Sequence, residues 1–209
     1  MRITCLHTAH SNVAVFDAAA QALGIGPDVL RHAVRPDLLA AAEQAGGLTM
    51  QITNATISAL RLLAVEADAV VLTCSTLGPA VEGLSTSLKV PILRTDEALA
   101  AAAVQAGGNI AVLCAVETTL APTARLFEHA ASVNVQLVSG AWALFKAGDL
   151  DGYLSAIASA ADRAYVDGAN VVVLAQASMS GAAARVTAGP PPLTSATAGL
   201  SAAVLTVLN

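Results

Sequence analysis

Cys74, in the segment VVLTCSTLGP, is the side chain best placed for chemistry in this sequence. It ends an apolar, β-branched run and is followed by Ser75, Thr76, Leu77, Gly78 and Pro79. Pro79 predicts the first turn of a helix over 79–88, because its fixed φ suits a position where no backbone donor is missed. A thiol just before a helix N-terminus meets free N–H groups and the positive end of the helix dipole, which favour the thiolate. Ser75 and Thr76 add hydroxyl donors beside those amides. Such a pocket suits a carboxylate or an enolate-like dianion, with the thiolate as base. A free cysteine also packs well as a small apolar residue. Cys5, in mid-strand, and Cys114, late in an apolar strand, read that way.

His7 is the other candidate for proton transfer. It ends the first apolar strand, and imidazole works as acid or base near neutral pH. A lone histidine at a strand end is more often structural. His10 is a weaker version of the same idea, and His32 and His129 sit in surface-like contexts. Asp17, Asp96, Glu97 and Glu117 form no spaced acid–base pair, and nothing has metal-ligand spacing. There is no glycine-rich phosphate loop, so nucleotide binding has no support.

The elements that must position these residues alternate. Strands are predicted at Arg2–His7, Val29–Val34, Ala69–Thr73 and Val90–Leu93. Helices are predicted at about Asn12–Leu23, Leu48–Glu66 and Asp96–Ala106, the last capped by the Thr95–Asp96 pair. Alternating βα units predict a mostly parallel sheet. The pattern then restarts. NIAVLCAV at 109–116 resembles RITCLHTA at 2–9, ANVVVLAQAS at 169–178 resembles DAVVLTCST at 68–76, and the proline-led segment 191–200 resembles 91–100. The offset stays at about one hundred residues, as an internal duplication requires.

The expected fold is therefore α/β, with two pseudo-symmetric βα lobes and parallel sheets. The lobes are expected at 1–95 and 96–195, with a C-terminal helix at 196–209 crossing back to the first. Ligands of open parallel sheets bind beyond the carboxyl ends of the strands. Both sets of ends would then meet in one cleft between the lobes.

Composition narrows the partners. The 209 residues carry a net charge of −5 and only 12% charged side chains, with basic residues scattered. That excludes a phosphate-neutralising surface, so no nucleic acid is expected. Mean hydropathy is positive, but the uncharged stretch 186–209 holds three prolines and the stretch 98–116 is broken by Gln105, Gly107, Gly108 and Asn109. Neither predicts a membrane span. The strand starting at Arg2 does not read as a signal peptide. The odd, widely spaced cysteines predict free thiols in a reducing cytoplasm. Aromatic residues make up only 3%, which offers few stacking groups for a large aryl substrate.

The strand-end Cys followed by Ser and Thr, the repeated halves and the hydroxyl-bearing loops after each first strand resemble the aspartate/glutamate racemase superfamily. That group includes amino-acid and hydantoin racemases, maleate isomerase and arylmalonate decarboxylase, and the resemblance covers nearly the whole chain. It implies a cofactor- and metal-independent enzyme acting at the α-carbon of a small carboxylate-containing substrate, and a homodimer or higher homo-oligomer. It also points to the loops holding Thr8, Ser11 and Asn12 and holding Thr118 and Thr119 as substrate contacts. Ser11, Asn12 and the two threonines are equally suited to be helix N-caps.

The second half departs from the two-cysteine pattern. Aligning VVLTCST with VVLAQAS puts Gln176 opposite Cys74, with Ala177 and then Ser178 following. Glutamine neither gives nor takes a proton at neutral pH; it only hydrogen-bonds, holding either the loop or the substrate. Three readings follow: a one-thiol racemase or isomerase with a partner such as His7, a single-thiol decarboxylase in mirror arrangement, and a carboxylate-binding protein without turnover.

Overall fold

In a computed structural model describing residues 1–84 and 88–209, the chain forms two four-stranded sheets, all parallel. The first contains β1 (Ile3–His7), β2 (Leu30–Val34), β3 (Ala69–Leu72) and β4 (Ile92–Arg94), in the order β2-β1-β3-β4. The second contains β5 (Ile110–Cys114), β6 (Val133–Leu137), β7 (Val171–Leu174) and β8 (Leu193–Thr194), in the order β6-β5-β7-β8. Pairing is the same in both halves. Leu6 lies opposite Leu72 as Leu113 lies opposite Leu174, and Val71 opposite Leu93 as Val173 opposite Leu193. The central strands β1, β3 and β5 are buried throughout, as expected for parallel strands covered on both faces.

The helices are α1 (Ser11–Ala22), α2 (Pro36–Ala45), α3 (Met50–Ala64), α4 (Thr95–Ala106), α5 (Leu120–Arg125), α6 (Ala141–Lys146), α7 (Leu150–Val166) and α8 (Ser195–Leu208). Thr49 caps α3 by accepting from the Ile52 N–H, and Asp149 caps α7 by accepting from the Gly152 N–H. Each half thus repeats a strand, a strand, one long helix and two more strands.

Two helices are exchanged between the lobes. Leu99, Ala100 and Ala103 of α4 pack on Ile110, Val112 and Cys114 in the second lobe. Ala196, Leu200 and Ala203 of α8 pack on Ile3, Cys5, Phe16 and Val71 in the first. The helices cross closely at Gly199, where a methyl group would overlap the Thr95 side chain. The core of the first lobe is thus discontinuous in sequence, built from 3–94 and 195–208.

Several expectations need correction. The helix predicted over 79–88 is instead a 3-10 helix, Ser75–Gly83, with Pro79 inside it; 85–87 lie outside the described residues. The hydrogen bonds of this segment close early because Pro79 has no N–H to continue an α-helical ladder. Thr95 and Asp96 do not cap α4. Its N-cap is Arg94, without a side-chain cap, and Thr95 Oγ1 donates to the Leu72 carbonyl instead. No expectation covered α2, β6, α5, α6 or α7. Among the described residues no helix is long and apolar enough to cross a membrane.

Candidate active site

Strand β3 ends at Leu72 and the chain reaches Cys74 two residues later, at the start of the Ser75–Gly83 helix. Strand β7 ends at Leu174, and Gln176 stands in the same relation to the 3-10 helix Ala177–Arg185. Both side chains line one cavity between the lobes. Thr8, Ala9, Asn12, Thr73, Ser75 and Thr76 line it from the first lobe, and Val116, Thr119, Ala177 and Ser178 from the second. Leu39, Trp142 and Phe145 add an apolar wall. Among the described residues no lining side chain carries a charge. The cavity holds about 40 Å³, well under the ~300–1,000 Å³ of a typical small-molecule site.

Burial pushes the Cys74 thiol up from the ordinary range. Hydrogen bonds from the Thr8 side chain and the Leu77 and Thr76 backbones oppose that rise, while Asp96 adds to it. Desolvation in the cavity thus outweighs the pull of the helix terminus toward the thiolate.

Gln176 is fully engaged. Its Oε1 accepts from the Ala115 N–H at 2.6 Å, and its Nε2 donates to Thr119 Oγ1 at 2.9 Å. The Thr119 hydroxyl itself donates to the Val116 carbonyl at 2.6 Å. Near it lies Cys114, which ends β5; burial pushes its thiol up, and the neighbouring Thr119, Thr123 and Gln176 side chains oppose that rise. Its surroundings are therefore more polar than a purely packing cysteine would have. Ser178 shares a 2.8 Å hydrogen bond with Tyr153 Oη, whose phenol burial pushes up to about 12.

Other expected residues divide. Thr8, Asn12, Ser75, Thr76 and Thr119 are buried on the cavity wall. Asn12 Oδ1 is buried without a partner, an acceptor in want of a donor. Thr118 does not line the cavity; it bridges the lobes through a 3.0 Å hydrogen bond with Thr76. Ser11 is exposed at the start of α1, outside the lining. Neither Ser11 nor Asn12 caps α1, and Thr119 makes no cap bond to α5.

His7 is not on the cavity wall. The alternation of β1 sends its ring toward α1, where it lies 4.9 Å from the Phe16 ring. It is bonded to Thr73 Oγ1 at 3.0 Å and to His32 Nδ1 at 2.9 Å. Burial, with His32 adding to it and Asp17 opposing, lowers His7 to about 3. The register of β1 thus turns the imidazole toward α1 and away from the cavity lining. Trp142 and Phe145 were missed. Their rings stack at 4.7 Å on α6, and the segment AWALF with two aromatics three apart was the available signal.

A buried cation sets the loop below Cys74. Arg94, 3% exposed, donates to both Asp96 oxygens at 3.0 and 2.8 Å, and also meets Glu97 at 3.1 Å. Its guanidinium lies against Gly78, where any Cβ would collide with it. Among the described residues no group of three or more His, Cys, Asp or Glu converges as a metal site.

Two repeated parallel α/β lobes with exchanged helices and an interlobe cavity define a two-lobe racemase-type fold. The Asp/Glu/Hydantoin racemase family model matches residues 6–203, and the chain belongs to that family. Among solved structures it is similar to the aspartate racemase of Picrophilus torridus, at 14% identity and a TM-score of 0.75, covering 99% of this chain and 93% of that one. It is also similar to the allantoin racemase of Pseudomonas fluorescens, at 21% identity and a TM-score of 0.67, covering 100% and 91%. A glutamate racemase from Bacillus anthracis aligns at 14% identity and a TM-score of 0.71, covering 99% and 81%. These likenesses establish the fold. No curated protein matches the sequence significantly.

Proposed function

We propose that this chain is a cofactor-independent racemase- or isomerase-like enzyme that moves a proton at the carbon next to a carboxylate, with Cys74 as the thiol base. Family membership supports the reaction type. The observation that carries the residue assignment is the Cys74 thiol on the interlobe wall, ringed by Thr8, Ser75 and Thr76 and facing a second-half glutamine. Hydroxyls and backbone N–H groups at the start of a helix bind a carboxylate and stabilise an enediolate as charge develops. The unpartnered Asn12 Oδ1 suits an N–H of the substrate. With no charged lining residue, the cavity favours a substrate with one carboxylate over one with several charged groups.

A single-thiol decarboxylase is the second reading. It is favoured by Gln176, which holds no transferable proton and leaves Cys74 to protonate one face of an enediolate. A carboxylate-binding protein without turnover is the third. Incubation in D₂O with single-enantiomer amino acids and with substituted malonates separates them. Deuterium at the α-carbon is expected, and its loss in Cys74→Ser. Carbon dioxide release points to the lyase. Ligand binding with neither product supports the binding protein, and labelling that survives Cys74→Ser rejects the thiol.

A further inference from the structure

A thiol held up by burial must lose its proton before it can act as a base, yet no lining side chain is a proton acceptor of the ordinary kind. The way out runs through the wall. Thr73 lines the cavity beside Cys74, and its Oγ1 is 3.0 Å from His7 Nδ1. His7 Nε2 is 2.9 Å from His32 Nδ1, and His32 Nε2 is 3.1 Å from Asp17 Oδ1. Thr73 and His7 are buried, whereas the Asp17 side chain is 61% exposed.

From this geometry we infer that Thr73, His7, His32 and Asp17 form a proton store for the Cys74 thiol, connecting the cavity wall to an ion pair at the surface. The inference rests on Cys74 being the proton-transfer group. His7, His32 and Asp17 act through Thr73 and are positioning residues.

Two complete hydrogen-bond arrangements fit these four groups. In the neutral one, the Thr73 hydroxyl donates to His7 Nδ1, His7 Nε2–H donates to His32 Nδ1, and His32 Nε2–H donates to the Asp17 carboxylate. In the charged one, the Thr73 hydroxyl donates to the Leu6 carbonyl, 3.0 Å away. His7 Nδ1–H then donates to Thr73, His32 Nδ1–H to His7 Nε2, and His32 is an imidazolium against Asp17. The Leu6 carbonyl stays satisfied in both, because the Thr73 N–H also donates to it at 3.1 Å. The arrangements differ by one proton, and no heavy-atom bond forms or breaks between them.

Loading the store balances as follows. The Cys74 S–H bond breaks, leaving its electron pair on sulfur; the proton bonds to a cavity water, for which there is room, and that water gives one of its own protons to Thr73 Oγ1. The former Thr73 proton moves to His7 Nδ1, and the His7 Nε2 proton moves to His32 Nδ1. The positive charge rests on His32 beside Asp17. Return of the proton runs the same steps backwards and restores the neutral arrangement. The lowered proton affinity of His7 agrees with a ring that passes protons without keeping them.

The other groups facing His32 are few. The Cys5 thiol of β1 is its cross-strand partner and is itself pushed up by burial. Arg31 lies on its own strand, and Arg2, Thr4 and Glu66 border the hollow that His32 also lines. Among the described residues Asp17 is the hydrogen-bond partner of His32 Nε2.

Two measurements on the whole protein test this, and neither needs a known substrate. The first is imidazole ¹⁵N NMR of histidine-labelled protein from about pH 5 to 9. The inference requires His7 to change from Nδ1–H to Nε2–H as His32 loses its proton; a single His7 tautomer throughout overturns it. The second is the iodoacetamide alkylation rate of Cys74, read by peptide mass spectrometry with Cys5 and Cys114 as internal controls. Asp17→Asn is expected to slow Cys74 about tenfold, the scale of one lost charge-assisted bond. Simple removal of a nearby negative charge would speed it, so an unchanged or faster rate overturns the inference. Thr73→Val is expected to slow Cys74 while leaving the His32–Asp17 pair intact; an unchanged rate also overturns it. Failure of the thiol as catalyst is read separately, by α-deuteration that persists in Cys74→Ser.

Discussion

Trp142 Nε1 donates to Glu43 Oε1 at 2.6 Å, tying α6 of the second lobe to α2 of the first beside the cavity that Trp142 lines. With Thr76–Thr118 this bond holds the lobes closed around about 40 Å³. That is far below the ~300–1,000 Å³ of a typical small-molecule site, so the lobes or their loops are expected to part as a ligand enters.

Removing the latch should therefore shift the balance toward the open form. Glu43→Ala gives up a hydrogen bond to a charged group, worth about 1.5–3 kcal/mol. The expected outcome is a red shift of the emission of Trp142, the single tryptophan. Cys74 alkylation should accelerate by about tenfold or more. Unchanged emission together with an unchanged rate would show that this bond does not control access.

Gln176 supports its loop whatever it does to substrate. Gln176→Ala strands the Ala115 N–H and should cost about 1–3 kcal/mol in urea unfolding. Gln176→Cys should place a second thiol opposite Cys74. If the cavity has the proposed role, this variant labels either enantiomer of an accepted substrate in D₂O, where the parent favours one. Equal one-face labelling in both proteins would refute the opposed geometry.

Arg94 is a structural keystone for the Cys74 loop. Arg94→Met leaves the buried Asp96 carboxylate without its cation and should destabilise the fold by about 3–5 kcal/mol. The double change Arg94→Met with Asp96→Leu should recover most of that loss. A single variant as stable as the parent would show that Asp96 finds water instead.

His7 gives a pH signature with a definite sign. In the unfolded chain it binds a proton below its ordinary value of 6.5, but in the fold only near 3. Between those limits the unfolded chain holds more protons, so stability falls as pH falls, by up to about 1.4 kcal/mol per pH unit. Above about pH 6.5 both states are neutral and the effect vanishes. Urea unfolding of the parent and of His7→Gln across this window should differ in slope. Parallel slopes would mean that His7 takes up its proton while folded.

How much of this was legible follows from which residues carry unambiguous patterns. Strands β3, β5 and β7 are continuous apolar runs and β1 is largely apolar, so the parallel sheets and the repeat could be read directly, and with them the match of Cys74 to Gln176. Strand β6 alternates polar residues, VNVQL, on a half-exposed edge, and it escaped notice. Pro36 opens α2 as a first-turn proline, a signal that was present and unused. The role of His7 depended on parity within β1. Its neighbour Thr8 faces the cavity while the imidazole faces α1, and no count of residue types fixes that. The Trp142–Glu43 bond joins residues far apart in the chain, a relation that only the assembled lobes reveal.

The exchange of α4 and α8 has a consequence for how the protein is made. Synthesis runs from the N-terminus, yet Leu200 and Ala203, which seal the core around Ile3 and Phe16, are made only after every strand of the second lobe. The second lobe, contiguous from α4 to β8, has all its parts available sooner. Maturation is then expected to proceed in reverse of translation order, with the half bearing Cys74 waiting, partly unsealed, for the tail that completes it.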